Sequence, residues 1–290
     1  MKRRQFLKGL LGVTLAGFFT AVYGLIVEPV FWLRVQRWKI SPPLWKAGPL
    51  RIVAIGDIHT GEPYVSLGRV ARIVAQANAL SPDLVVLLGD YSAGHRFISA
   101  PVKITDAAPV LAGLTARLGV FAILGNHDWW DDRAAQARGG GPNIYAMALE
   151  AAGIPVLSNR AVRLDGFWLA GVEDQLALRQ GQNGRIGLDD LPGTLAQVSD
   201  DAPVILLAHE PDIFARATDR VALQLSGHTH GGQVRLFGWS PVVPSSFGNR
   251  FAYGHVREGS RDLVVTGGIG CSIAPVRFGV PPEITVVDLS

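Results

Sequence analysis

Seven histidines occur in the 290 residues, and five of them, His59, His127, His209, His228 and His230, fall inside short polar motifs, three of which also carry aspartate, asparagine or glutamate beside the histidine. The motifs are Asp57-Ile58-His59, Gly89-Asp90, Gly125-Asn126-His127-Asp128, His209-Glu210 and Gly227-His228-Thr229-His230. Imidazole, carboxylate and carboxamide together suit a borderline divalent cation such as manganese, iron or zinc, whereas calcium favours all-oxygen shells. Cys271 is the only cysteine, so a thiolate metal cluster and an intrachain disulfide are both excluded. In extended chain, residues i and i+2 point the same way, which predicts that Asp57 with His59, and His228 with His230, act as two-pronged grips. One such residue alone would be read as a core hydrogen bond or a helix cap, and it is the ordered recurrence that argues for a site.

Five motifs scattered over the chain need a scaffold that returns them to one place. Short apolar runs rich in Val, Ile and Leu supply it: Arg51–Gly56, Leu84–Gly89, Val120–Gly125, Val204–Ala208, Ala222–Ser226 and Leu263–Thr266 read as buried strands, most ending at a polar motif. Ser66–Ala79, Ala107–Arg117, Ile144–Ala152 and Asp189–Val198 have helix composition and lie between strands, while Ala161–Val172 and Ile284–Leu289 read as antiparallel or mixed-sheet strands. Residues 138–143 and 179–187 read as loops. The alternation predicts a layered α/β fold, with glycine at strand ends allowing a sharp turn and close backbone approach so that the next side chain projects over the sheet edge.

Taken in order, D-x-H, G-D, G-N-H-D, H and G-H-x-H over residues 50–290 resemble the calcineurin-like metallophosphoesterases. The resemblance implies a four-layer α/β/β/α sandwich and two divalent ions. One would be held by Asp57, His59 and His230 and the other by Asn126, His209 and His228, with Asp90 bridging. Such a pair lowers the pKa of a bridging water and clamps phosphoryl oxygens during in-line attack, which implies phosphoester hydrolysis. His127 is then a catalytic group facing the phosphate, with Asp128 orienting it. The broad family often reads G-D-x-x-D, and here Gly89-Asp90-Tyr91-Ser92-Ala93 has no second aspartate. GHTHGGQ at 227–233, with Pro275-Val276-Arg277-Phe278 and Pro281-Pro282-Glu283-Ile284, resembles the membrane-associated YkuE- and YaeI-like phosphodiesterase branch. Trp129, Gln233 and Arg277 are candidate substrate contacts, the first also readable as packing and the other two as loop braces.

The first fifty residues set themselves apart by composition. Residues 1–51 hold nine Lys or Arg against Glu28 alone, which leaves the remainder at −5 although the chain as a whole is +3. Met1 to Lys8 reads MKRRQFLK, followed by the uncharged run Gly9–Val27. At 1.5 Å per residue that run reaches about 28 Å, close to a bilayer's hydrocarbon thickness. Arg3 and Arg4 before Gln5, Phe6, Leu7 and Lys8 resemble a twin-arginine export signal, with Lys2 where a Ser or Thr is usual. Residues 1–30 are thus expected to be a signal or membrane anchor routed by the twin-arginine translocase. Residues 31–49 are expected to be an interfacial linker in which Phe31, Trp32, Trp38 and Trp45 form an aromatic belt, and 50–290 the catalytic domain.

From these features the catalytic domain is expected at the cytoplasmic membrane, on its extracytoplasmic side, acting on a phosphodiester or pyrophosphate that is envelope-borne or lipid-linked. A cytosolic domain would instead suggest a UDP-2,3-diacylglucosamine pyrophosphatase of lipid A synthesis. A rival of another class is a metal-binding membrane module without catalysis. An acidic catalytic region without a basic stripe argues against a nucleic-acid partner and so against a nuclease.

Overall fold

The computed structural model describes residues 3–181 and 184–290. Lys2 and the middle of the segment expected as a loop at 179–187 lie outside them.

Two sheets carry the fold. The first orders its strands Arg34–Ile40, Glu283–Leu289, Leu50–Ile55, Leu84–Leu87 and Val120–Ala122; the second orders Gly254–Glu258, Arg261–Val265, Val221–Ser226, Val204–Leu207, Trp168–Gly171 and Arg160–Arg163. Both have a parallel heart: Leu50–Ile55 with Leu84–Leu87 and Val120–Ala122 in the first, and Val204–Leu207 between Trp168–Gly171 and Val221–Ser226 in the second. Such strands are buried on both faces, which is why they read as continuous apolar runs.

Alternation along those runs assigns the layers. Ile52, Ala54, Leu84 and Val86 face Leu169, Ile205, Leu207, Leu223 and Leu225 across the space between the sheets. Their neighbours Val53, Ile55, Val85 and Leu87 turn outward onto the helices Leu67–Ala79, Ile104–Leu111 and Ile144–Ala151. On the second sheet Val204, Leu206 and Ala170 turn onto Leu191 and Ile213, which belong to the short helices Leu191–Leu195 and Pro211–Ala215. The result is the expected α/β/β/α sandwich. Each fully buried Val, Leu or Ile in it contributes about 1.5–3 kcal/mol. Leu67–Ala79 shows how locally this is written: Ser66 caps it by accepting the Arg69 N–H, and Val70, Ile73, Val74 and Ala77 form its buried face.

Boundaries shift from expectation in several places. The helix expected over Ala107–Arg117 occupies Ile104–Leu111, and that expected over Asp189–Val198 is only Leu191–Leu195, beginning at the Asp190 cap. Ala161–Val172 is an antiparallel pair, Arg160–Arg163 with Trp168–Gly171. The expected loop at 179–187 is framed by paired strands, Leu178–Gln180 and Gly184–Ile186, and Arg138 ends a short helix from Arg133.

The larger correction lies at 31–49. Arg34–Ile40 is a parallel edge strand of the first sheet, paired to Glu283–Leu289. Trp45 is buried against Phe167, its indole N–H donating to the Gly48 carbonyl at 2.7 Å, and Trp38 packs edge-on against Tyr253. A belt was expected because aromatic and basic residues interleave there. That pattern equally suits an edge strand whose aromatics cover the core, and only the distant partner strand decides between them. Before the strand, Arg3–Val22 is an α-helix with no buried residue that continues as a wider π-helical segment over Tyr23–Phe31, where Gly24, Glu28 and Pro29 are buried against the domain. The helical stretch Arg3–Phe31 is long and apolar enough to cross a membrane, with mean hydropathy 2.1.

Candidate metal centre

All five motifs follow strand ends, as the layered reading requires, with Asn126, His127 and Asp128 opening the short helix Asn126–Trp130, but the backbone there is not extended. Asp57, His59, Asp90, His228 and His230 all have positive φ, between 44° and 68°. Between His228 and His230, Thr229 is right-handed, with φ −78° and ψ −20°. The residues of both i, i+2 grips are thus left-handed, alternating with a right-handed Thr229 in the second, which corrects the extended-chain expectation. Non-glycine residues adopt such conformations at a cost of order 1–3 kcal/mol when the surroundings impose them, and they concentrate at functional sites. Two glycines make the close approach possible. A Cβ on Gly125 would stand 2.4 Å from Asp90 Oδ1 and 2.7 Å from His209 Cε1, and one on Gly227 would stand 2.6 Å from Asp57 Oδ2.

The side chains converge from both sheets onto Asp90. Its Oδ2 lies 3.4 Å from His59 Nε2 and 3.4 Å from His209 Nε2, while its Oδ1 accepts the His127 backbone N–H at 2.8 Å. On one side His59 Nε2 is 3.2 Å from His230 Nε2, the rings stacked, and His230 Nε2 is 3.6 Å from Asp57 Oδ1. On the other side Asn126 Oδ1 is 2.8 Å from His228 Nδ1. The ligating atoms of Asp57, His59 and His230, of Asp57, Asp90 and His209, and of His209, Glu210 and His228 each fall within 4.8 Å of one another.

The electrostatics suit cations. Burial drives the His59 imidazole down to about 3 and His230 well below its ordinary value, so both rings hold neutral lone pairs. Burial pushes the Asp57 carboxyl up to about 7. Burial works hardest on His209 and lowers it, but the carboxylates of Asp90, Glu210 and Asp57 around it together outweigh that and raise it well above the usual imidazole range. Asp57 Oδ2, His209 Nε2 and Glu210 Oε1 are buried without a hydrogen-bond partner among the described residues. Orphaned buried donors and acceptors of this kind are costly, and a divalent ion is the partner that carboxylate oxygens and imidazole lone pairs share. The residues thus fit divalent metal. His209 is also prepared from behind, because its Nδ1 donates to the Leu88 carbonyl at 2.6 Å and so directs Nε2 inward, the usual support for a ligating histidine.

The remaining candidates divide. His127 is half-buried at the floor of a cleft of about 840 Å³, with Nε2 3.2 Å from Ser272 Oγ and its ring edge-on to His59. Asp128 does not orient it. The Asp128 carboxylate accepts the backbone N–H groups of Gly125, Asp90 and Tyr91 at 2.9, 2.8 and 2.9 Å, tying two ligand turns together, and burial holds it up at about 8. Trp129 is no substrate contact: it is buried in the helix-facing core, its indole N–H donating to Glu173. The neighbouring Trp130 faces the cleft instead. Gln233 borders the cleft, but its amide is engaged by the Ala274 and Val276 carbonyls and the Ser272 N–H, so it braces the 272–276 loop. Arg277 is fully buried, giving its N–H groups to the Gly267, Gly270 and Val280 carbonyls and approaching His230 Nδ1 at 3.2 Å. It has no carboxylate partner among the described residues and cannot reach a substrate, since it props the turn behind His230.

Glu210 and Ser272 are the site residues to which sequence reasoning gave no role. Glu210 follows His209 directly, and that adjacency was its only signal. Its Oε1 lies 4.0 Å from His228 Nδ1, while Oε2 accepts the Gln175 N–H at 3.0 Å. Ser272 carried no signal, because the loop that brings it to His127 is far away in the chain.

Comparison with known proteins agrees with this geometry. A family model described as calcineurin-like phosphoesterase matches residues 50–232. The chain is 33% identical, over all of its length and 98% of the other's, to the protein named uncharacterized metallophosphoesterase YkuE of Bacillus subtilis. It is 29% identical to phosphodiesterase YaeI of Escherichia coli, covering 100% of this chain and 99% of that one. A transmembrane protein with metallophosphoesterase domain from Danio rerio is 32% identical across 93% of this chain and 60% of its own length.

Proposed function

The chain belongs to the calcineurin-like phosphoesterase family and is a metallophosphoesterase, and on that premise we propose that it hydrolyses a phosphodiester or pyrophosphate bond of a lipid-linked or envelope substrate at the membrane surface. The observation that carries the reading is Asp90 Oδ2, equidistant at 3.4 Å from a histidine of each ligand group. A carboxylate so placed would serve both ligand groups at once. Asp57, His59 and His230 would hold one ion; Asn126, His209 and His228, with Glu210 beside them, would hold the other. Manganese, iron and zinc all suit this donor set. When bound, such a pair supplies Lewis acidity and an acidified water.

The chain's own groups do the rest. The Asp128 carboxylate and the Leu88 carbonyl keep Asp90 and His209 in place before substrate arrives. His127, half-buried at the cleft floor, is positioned to give a proton from Nε2 to the departing oxygen or to stabilise charge on the phosphoryl group, with Ser272 Oγ beside it. A lipid-linked substrate is supported by the walls, where Phe97, Trp130, Val242, Pro244, Ile273 and Val276 stand above a polar floor. Membrane attachment is supported by the apolar helix Arg3–Phe31 and by relatives named transmembrane. The Arg3-Arg4 pattern favours export through the twin-arginine translocase and an extracytoplasmic domain. The same apolar walls would serve a UDP-2,3-diacylglucosamine pyrophosphatase facing the cytosol, and reporter fusions at the C-terminus separate the two.

Turnover of bis-p-nitrophenyl phosphate by the purified full chain with manganese tests the chemistry. Asp90→Asn should lower kcat/KM by about 100-fold or more, the size of losing a preorganised electrostatic group. Undiminished turnover by Asp90→Asn with its metal retained would overturn the reading.

A further inference from the structure

At one side of the cleft the chain makes a tight turn, Leu236-Phe237-Gly238-Trp239, closed by reciprocal backbone hydrogen bonds between Leu236 and Trp239 at 2.8 and 2.9 Å. Both central residues have positive φ, 52° at Phe237 and 81° at Gly238. Glycine and asparagine suit those positions, and a bulky aromatic is disfavoured there. Phe237 nonetheless occupies one of them with its side chain entirely in solvent (107% exposed), so the fold gains nothing from the strain. Trp239 and Leu236 are exposed beside it, and Val242, Ile273 and Phe97 are exposed along the cleft wall. Exposed apolar groups gathered on a cleft wall and on a neighbouring turn mark a surface that meets something apolar.

Backbone contacts connect this rim to the foot of the apolar helix. The Arg235 N–H donates to the Phe278 carbonyl and the Phe278 N–H to the Gln233 carbonyl, both at 2.8 Å. On the far side of the same segment, the Arg277 N–H donates to the Gly24 carbonyl at 2.8 Å, the Gly279 N–H to Glu28 Oε2 at 3.1 Å, and the Phe278 ring packs edge-on against Tyr23. Tyr23 to Val27 lie within the uncharged run Gly9–Val27. The domain is therefore clasped to the last residues of the stretch that would span the bilayer, with no slack linker between. A helix ending at the membrane surface brings segments 233–236 and 276–279 to that surface with it.

We propose that the rim formed by Leu236, Phe237, Trp239, Val242, Ile273 and Phe97 seats in the phospholipid bilayer, so that the cleft opens at headgroup level. The inference rests on the reading of this chain as a membrane-surface enzyme. Aromatic and aliphatic side chains favour the interfacial zone, where they bury apolar area without leaving the headgroups. Arg96, exposed and stacked 4.9 Å from the Phe97 ring centre, adds a cation for lipid phosphate at the same edge. The rim thereby determines which phosphoesters reach the metals, since one presented from the bilayer enters the cleft without leaving its membrane.

The test places an environment-sensitive fluorophore on the full chain, reconstituted in phosphatidylethanolamine and phosphatidylglycerol vesicles, at Phe237→Cys and separately at Val242→Cys. Asp201→Cys is the reference, since it precedes Val204–Leu207 and so lies at the strand ends opposite those bearing the ligands. Cys271 is buried, and the unsubstituted chain serves as the labelling blank. Spin-labelled lipids carrying the nitroxide high on the acyl chain should quench the labels at 237 and 242 at least about two-fold more than the label at 201. Equal quenching at all three sites, or capture of the rim by a protein partner with the labels remaining aqueous in vesicles, overturns the inference. Bis-p-nitrophenyl phosphate turnover, read on the same samples, reports separately on the proposed chemistry. Turnover without quenching sinks only the docking, and quenching without turnover sinks only the phosphoesterase reading.

Discussion

Gly125→Ala is the substitution whose effect can be worked most directly from the geometry. Gly125 has φ −113° and ψ 176°, a conformation any residue adopts, so alanine there brings no backbone strain. What it brings is a methyl group 2.4 Å from Asp90 Oδ1 and 2.7 Å from His209 Cε1. Ordinary contact begins near 3.4 Å, so the Asp90 carboxylate and Gly125 must separate by about 1 Å. Neither neighbour gives way cheaply: Asp90 Oδ1 is held by the His127 N–H at 2.8 Å, and His209 by the Leu88 carbonyl at 2.6 Å. Overpacking of this kind costs about 1–3 kcal/mol of stability. A catalytic group displaced by about 1 Å costs on the order of 100-fold in rate, equivalent to about 2.7 kcal/mol of transition-state stabilisation. The assay is kcat/KM for bis-p-nitrophenyl phosphate at saturating manganese, with metal stoichiometry and Tm measured on the same sample. Gly140→Ala, whose added Cβ would meet nothing within 4 Å, is the control. A Gly125→Ala enzyme within about three-fold of its parent would refute the idea that Asp90 and His209 must stand where they do.

Two further outcomes follow from the same contacts. Trp129→Phe removes the indole donor to the buried Glu173 carboxylate and should lower stability by about 1–3 kcal/mol, seen in denaturant melts, while kcat/KM stays within about two-fold; a large kcat/KM loss at unchanged stability would return Trp129 to the substrate. Chelation should abolish turnover and also lower Tm, because His59, His230, Asp57 and Asp90 crowd unlike a self-sufficient core, and re-addition of manganese or zinc should restore both; an unchanged Tm after complete metal removal would argue against a site that binds in the folded state alone.

Much of this protein could be read along the chain. Strands and helices are specified by periodicity among near neighbours, and the candidate ligands by residue type, motif order and, in all motifs but that of His209, a glycine before them. Asp57, His59, Asp90, Asn126, His209, His228 and His230 were therefore legible together, as were the helix beginning at Ser66 and the apolar leader. Other features rest on partners far away in the chain. Arg34–Ile40 resembles a membrane belt until Glu283–Leu289 pairs with it, and Trp129 resembles a substrate platform until Glu173 accepts its N–H. Arg277 looks free for phosphate until carbonyls from 267 to 280 enclose it, and Asp128 looks like a partner for His127 until three backbone N–H groups claim its carboxylate. The left-handed turns at Asp57, His59, Asp90, His228 and His230 are likewise imposed from outside, because an isolated Asp or His would not choose them. Composition and spacing select which atoms can bind a metal. Only packing determines where each unpaired donor and acceptor finds its partner, because burial makes leaving one unpaired so costly.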